Sequence, residues 1–545
     1  MMKIKTMLRQ LLRSPQKFPV EAFMGLAFFV TAALHTANAT WDSSVGQRVS
    51  NVNSDILWFF VPLLVLTFWL HKVNRWAYVV SGLLFLPLMC LNLKPFLWTY
   101  GFFFTYVLAA ILLLVGTRWL DNRSFAAHCL HVVTQLFFGV VIAGLLTGAV
   151  MVIVASFYYI FGIREPDHLY EYIWQFIWFV IAPQVCCTLI RQDEDEVQEP
   201  ARVLQLILNF ILSPAVIIYT VILYAYFIKI AFEWDLPKGG VAWLVMGFVT
   251  VALVGRLMQH ILSRRYYDWF YDHFTWIAIP PLIMFWIGSL YRIRLYSFTE
   301  SRFYLLVAGV LMSLFVLMLL WRRSRRFQLM ALIFGGAIIL FTYVPGISAK
   351  RIGLRCQTER LEQLIQDLNL VNAKTGKLVR YVNKQKICAD SVLCEQYRQA
   401  CSVISYVRQG MGRDKFDKKY GKWAYNEYQF WYDKADGKTD EPAQLVEAVL
   451  EEPIDLGGYH ILIPNDSYET VCKDGVVTVV MSGKTVLRYP VDSLIKSRPQ
   501  LLDQPEQLLI WRNDSLLMVL RSSSIGHDDE GVHHMSTYNA MMFRK

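Results

Sequence analysis

Long apolar runs set the rhythm of the first part of this 545-residue chain. Eleven segments stand out: 20–39, 55–70, 76–92, 96–116, 128–161, 171–190, 202–232, 240–262, 274–290, 303–320 and 327–344. Each approaches or exceeds the ~20 apolar residues that a helix needs to cross the hydrocarbon of a bilayer. The pattern predicts a polytopic helical bundle. Segments 128–161 and 202–232 are too long for one crossing and too short for two with a turn, so the first is expected to tilt or project and the second to kink at Pro214.

Beyond Pro345-Gly346 the periodicity changes. Residues 356–370 read as an amphipathic helix with Leu361, Leu364, Ile365 and Leu368 on one stripe. A second helix runs from a cap at Asp390 or Ser391 to Gly410, with Leu393, Tyr397, Ile404 and Val407 on its apolar side. An aromatic stretch including Trp423, Tyr425, Tyr428, Phe430, Trp431 and Tyr432 follows and reads first as packing. Short strands are predicted at 459–463, 476–481, 486–489, 508–512 and 516–521, with Asn513-Asp514-Ser515 turning between the last two. The expected architecture is a basic N-terminus (1–19), a transmembrane all-α bundle (20–345) and a soluble α+β domain (346–545).

Composition agrees, with 55% hydrophobic and only 18% charged residues. The net charge of +10 raises nucleic acid as a partner, but its distribution removes that reading. Residues 350–545 hold 27 Lys and Arg against 26 Asp and Glu, which leaves 26 against 17 for residues 1–349. The excess sits in loops of the membrane half, where it reports topology. One alternating set of loops carries 17 basic residues, among them Lys72, Arg75, Arg118, Arg123, Arg191 and the run Arg322–Arg326; the other set carries 7. The positive-inside tendency puts the N-terminus in the cytoplasm and, with eleven spans, the C-terminal domain outside. One span more or fewer would reverse the tail. Ala37-Asn38-Ala39 has a small-x-small cleavage pattern, but the long basic region before it favours a retained first helix.

Several segments resemble an uncharacterised bacterial membrane family, domain-of-unknown-function 4153. They are Tyr224–Lys229, Leu236–Gly240, Pro280-Pro281 and Tyr291–Tyr304. The family usually has Gly where this chain has Ser297, and its aromatic pair is shifted here to Phe303-Tyr304. Lys17-Phe18-Pro19 is similar to the family's first-helix start, and Asp455–Tyr459 looks like tails of Bacteroidetes members. The resemblance implies a multi-pass inner-membrane fold and no reaction, ligand or catalytic residue.

The family-like loops bring Lys229, Lys238, Arg292, Arg294 and Arg302, with Tyr296, to the less favoured outer side. Cations tolerated there suggest a site for phosphate or carboxylate. Snorkelling to headgroups, or pairing with Asp235 and Glu300, is the structural alternative. Arg256 and His260, at i, i+4 near a cytoplasmic end, are expected to snorkel. His128 and His131 offer half a metal site with no carboxylate partner. The acidic run Asp193–Glu196 reads as a solvated connector.

In the tail, Cys394 and Cys401 lie two helical turns apart, ~10 Å, too far to pair. An outer location would allow up to two disulfides among Cys356, Cys388, Cys394, Cys401 and Cys472. His527, Asp529, His533 and His534 carry metal-ligand chemistry in what also looks like a solvated hairpin loop. No cofactor is expected, and no phosphate-binding loop, zinc-protease helix or hydrolase elbow is present in the sequence. Three readings follow: a sensory or scaffold membrane protein whose outer domain binds a ligand or envelope partner, a carrier of an anionic or lipid-linked substrate, and an envelope enzyme acting on a lipid-linked phosphate. The first is preferred, and the chemistry points away from an enzyme.

Overall fold

The computed structural model describes residues 13–38, 54–191, 205–233, 241–321, 325–371, 377–378, 390–421, 444–449, 455–463, 469–473, 476–481, 484–497, 508–527 and 532–545. The chain divides into two compact units, residues 1–296 with 300–352, and residues 297–299 with 353–545.

The regular secondary structure of the first unit's described residues is helical. It contains α1 (Ser14–Lys17), α2 (Pro19–Asn38), a 3₁₀ turn (Ser54–Phe59) running into α3 (Phe60–Val73), α4 (Arg75–Ser81), α5 (Phe85–Met89), α6 (Tyr100–Val115) and α7 (Asn122–Phe161). It continues with α8 (Leu169–Phe176), α9 (Ala182–Arg191), α10 (Ser213–Glu233), α11 (Val241–Gln259), α12 (Asp268–Asp272), α13 (Phe274–Tyr296), α14 (Glu300–Met318) and α15 (Phe327–Tyr343). Among the described residues eight helices are long and apolar enough to cross a membrane. Three shorter apolar helices, Arg75–Met89, Tyr100–Val115 and Phe327–Tyr343, fall on the remaining expected segments.

The long segments resolve as physical chemistry requires. Asn122–Phe161 is one 40-residue helix, about 60 Å at 1.5 Å per residue and roughly twice the hydrocarbon thickness. Its outward residues Phe137, Leu145 and Ile153 are each more than 60% exposed, which suits lipid and not water. Its inward Gly139, Ala143 and Thr147 recur every four residues and are buried. This small-residue stripe lets a neighbouring helix approach closely; a Cβ on Gly139 would come within 2.5 Å of Cys186 Sγ on α9. A π-helical stretch, Ile207–Leu212, leads into α10 just ahead of Pro214, and a second one, Ile177–Ile181, leads into α9 just ahead of Pro183. Proline has no N–H to donate and its ring crowds the carbonyl four residues earlier, so the preceding turn widens.

The core of the bundle forms around α11, whose Val245, Phe248, Val249 and Ala252 are almost wholly buried. Around them pack Phe270, Phe274 and Phe285. A second core gathers Met24 and Phe28 of α2 with Phe59, Phe60 and Phe102.

Among its described residues the second unit contains α16's larger part (α16 spans Ala349–Asp367), α17 (Ser391–Met411), α18 (Arg413–Tyr420), α19 (Val491–Ser497) and eight strands. The strands are β1 (Gln444–Val449), β2 (Ile461–Ile463), β3 (Glu469–Lys473), β4 (Val476–Met481), β5 (Lys484–Pro490), β6 (Ile510–Arg512), β7 (Leu516–His527) and β8 (Val532–Arg544). One antiparallel sheet runs β1-β7-β8-β2 with β6 also on β7, and a second runs β3-β4-β5. Leu361, Tyr397, Ile404, Val407 and Phe416 form a helical core, whereas Leu393 is exposed. Val477, Val479, Trp511, Met518 and Met542 form the core of the strands. Asp390 caps α17 by accepting from Val392 N, and Asn513 accepts from Ser515 N and Leu516 N at the turn between β6 and β7.

Candidate anion-binding site

Helix ends that carry the basic loops meet at one end of the bundle. Gln328, nearly fully buried on α15, donates from Nε2 to Val115 O and Arg118 O at 2.8 and 2.7 Å. Its Oε1 accepts from Leu120 N at 2.8 Å. Three hydrogen bonds from one amide therefore fix the link between α6 and α7. Asn122 donates to Arg325 O and accepts from Phe327 N, tying the start of α15 to the same end. Gly116, at φ +66°, allows the chain to turn there, and a Cβ at that position would stand 3.2 Å from His128 Nε2.

These ends enclose a cavity of about 900 Å³, within the range of small-molecule sites. Lys72, Arg75, Arg118 and Arg191 line it. His71, His128 and His131 add imidazoles, and Ser124 and Tyr78 add hydroxyls. None of the described lining residues is Asp or Glu. A space lined by four basic side chains raises the local concentration of anions. Guanidinium groups supply the forked donors that carboxylate and phosphate accept.

Several wall residues are held from behind. Arg191 lies over the rings of Phe18 and Phe68 at 5.5 and 5.6 Å, while its Nε and Nη2 are buried with no hydrogen-bond partner among the described residues. His131 Nε2 lies 3.1 Å from Ile190 O. Behind the wall sits Glu21 of α2, with no exposed surface. Tyr78 Oη donates to Glu21 Oε2 at 2.6 Å and accepts from Val20 N at 3.1 Å. His71 stacks on Tyr78 with ring centroids 4.3 Å apart, and its Nδ1 faces Glu21 Oε1 at 3.7 Å.

The outer cations predicted from sequence fare differently. Arg302 donates from Nη1 to Tyr296 O at 3.0 Å and lies over the Tyr296 ring, closing the turn between α13 and α14. Lys229 and Arg294 are exposed, Arg292 is half-buried, and Lys238 lies outside the described residues. Of this group the structure brings Arg302 and Tyr296 together. Arg256 does not snorkel: it is 6% exposed within the bundle, and His260 Nδ1 lies 3.1 Å from its carbonyl oxygen. His128 and His131 sit together, but at a wall of cations, which disfavours a metal ion.

In the tail, His527 ends β7 while His533 and His534 lie in β8. Asp529 and the acidic run Asp193–Glu196 lie outside the described residues, as does the aromatic stretch 423–432. No group of three metal-ligating residues occurs among the described residues. Cys394 is disulfide-bonded, and Cys401 is a buried free thiol, so these two are not paired.

Sequence reasoning assigned Lys72, Arg75, Arg118 and Arg191 to topology alone. The missed signal was the neighbourhood of those cations: His71, Tyr78, His128 and His131 recur at the same ends of neighbouring spans.

The family described as Domain of unknown function (DUF4153) matches residues 23–370. An uncharacterized protein, PM1469, from Pasteurella multocida (strain Pm70) is 28% identical over 322 residues, covering 56% of this chain and 54% of that protein. The chain thus spans about half the length of this curated relative. No solved structure matches.

Proposed function

Because the chain belongs to the domain-of-unknown-function 4153 family, whose description names no reaction, we propose from the geometry that this membrane protein binds a small anion in its basic cavity. The observation that carries the reading is the gathering of Lys72, Arg75, Arg118 and Arg191 around one space with no acidic side chain among the described lining residues. The ligand class is phosphate or carboxylate. Basic loops favour the cytoplasmic side, so the cavity would open there and the N-terminus would be cytoplasmic. A carrier or a receptor for an anionic solute both need such a site.

The test is binding by the full chain in nanodiscs, with sulfate, inorganic phosphate and citrate as probes against chloride at matched ionic strength. A ligand that binds the native state raises its apparent melting temperature with concentration. Arg118→Gln should weaken binding roughly tenfold or more, since a hydrogen bond to a charged group contributes ~1.5–3 kcal/mol. Absence of any anion-specific shift, or an unchanged affinity in Arg118→Gln, would remove the cavity reading.

A second reading rests on the tail. Strand β2 lies at a sheet edge with Ile461 and Leu462 45% and 58% exposed, which suits strand addition by an envelope protein partner. A disulfide at Cys394 supports an oxidising compartment, hence a periplasmic domain of an inner-membrane protein.

A further inference from the structure

Glu21 is a carboxylate with no solvent exposure inside a helix of membrane-spanning length. An ionisable group at such a place is costly and is kept where it is paired or used. Its pairing is incomplete. Oε2 accepts from Tyr78 Oη, but Oε1 has no hydrogen-bond partner among the described residues. Across 3.7 Å stands His71 Nδ1, which also lacks one. Two buried atoms able to accept thus face each other at a distance that one proton, with a small approach, would turn into a hydrogen bond.

The arrangement reaches the cavity through three side chains. His71, Tyr78 and Arg191 touch Glu21's surroundings on one side and line the cavity on the other. Around the pair, Glu21 faces His71 from α3, Tyr78 from α4, and Cys187 and Arg191 from α9, while His71 also faces Lys72 and Arg191. Proton exchange with the aqueous cavity matters near neutral pH. The carboxylate and imidazole are the members suited to exchange a proton in that range.

We propose that Glu21 and His71 form a proton-binding site behind the anion cavity, so that an anion and a proton bind together. The inference rests on the anion-binding reading and extends it. An arriving anion adds negative charge beside His71 and Arg191, and a proton taken from the aqueous cavity offsets it. The proton leaves hydronium in the cavity water, whose O–H bond breaks to give water, and forms an O–H bond at Glu21 Oε1 or an N–H bond at His71; no oxidation or reduction occurs. Linkage makes the effect reciprocal, so a lower pH tightens anion binding by the factor with which the anion tightens proton binding.

The decisive experiment uses the full chain in nanodiscs, weakly buffered with a pH-indicator dye, and sulfate as a probe that does not titrate near neutrality. The wild type should take up about one proton per sulfate bound, and its sulfate affinity should fall several-fold from about pH 6 to about pH 8. Glu21→Gln should make the affinity independent of pH and abolish most of the uptake. Glu21→Asp should restore part of it, which a merely structural carboxylate would not. Sulfate binding without proton uptake in the wild type, or with full uptake in Glu21→Gln, overturns the proton site and leaves the anion cavity standing. No sulfate binding at any pH overturns both.

Discussion

Gly25 shows how closely the membrane helices approach. A Cβ at this position would lie 2.3 Å from the carbonyl oxygen of Phe179, an atom held in the π-helical stretch ahead of Pro183. Backbone cannot swing aside as a flexible side chain can. Gly25→Ala should therefore lower stability by about 1–3 kcal/mol, the usual cost of overpacking, seen as a lower melting temperature in detergent with the protein still inserted. An unchanged melting temperature would mean that α2 and this stretch separate easily. Ser297 makes a related point. It occupies a place where the resembling family has Gly, and its φ is +57°, a conformation that costs an L-residue roughly 1–2 kcal/mol. The substitution was visible in sequence, but the left-handed turn that explains the family's Gly was not.

Helices were legible because hydropathy and length are local properties. The eight long helices and three shorter ones fall on the eleven expected segments, and Pro214 does mark an irregularity. Its form was not foreseeable, because a widened turn and a sharp kink both follow from a missing N–H. The turn at Asn513 and the cap at Asp390 could be read from residue type, whereas β1, β3 and β8 were missed. The strand β1 finds its partner β7 only far along the chain, whereas β8, which pairs with the adjacent β7, was obscured by its polar stretch His533–Asn539. The anion cavity was illegible for a similar reason. Its cations come from separate helix ends, and each alone satisfies the positive-inside tendency.

One link between helices has a pH dependence that can be worked out. Glu362 on α16 accepts from Lys419 Nζ at 2.9 Å and from Tyr420 Oη at 3.1 Å, both on α18. The hydrogen bond from Lys419 holds the Glu362 carboxyl below its usual range, while Tyr420 and Glu362 hold the Lys419 ammonium above its own. A depressed carboxylate stabilises the fold above its unfolded pKa and loses that effect as pH falls through the folded value. A raised ammonium stabilises below its unfolded pKa and loses the effect as pH rises through the folded value. The link therefore operates between about pH 4 and about pH 10. Both side chains are half-exposed, so screening limits it to ~0.2–1 kcal/mol. Glu362→Gln should lower the melting temperature slightly at pH 7, and the difference should shrink as pH falls below about 4. A gap that persists at acid pH would point to packing instead of charge.

At the scale of the whole molecule, topology and cysteine chemistry must agree. The helix ends that meet at Gln328 and Asn122 carry the basic loops at one end of the bundle, a segregation that the positive-inside tendency explains if that end is cytoplasmic. An odd number of crossings then carries the tail to the oxidising side, where a disulfide at Cys394 persists. An even number leaves the tail among reducing thiols. The short broken pair α4 and α5 decides the parity, since neither piece alone spans ~30 Å of hydrocarbon. In cells quenched with acid, Cys394 should resist alkylation until reduced, and a reporter fused after Lys545 should be active only outside the cytoplasm. Alkylation of Cys394 without reduction, together with a reporter active inside, would mean that one apolar segment fails to cross. The basic cavity would keep its composition under that outcome. The search for what binds β2 would then move from the envelope to the cytoplasm, because an edge strand recruits only partners that share its compartment.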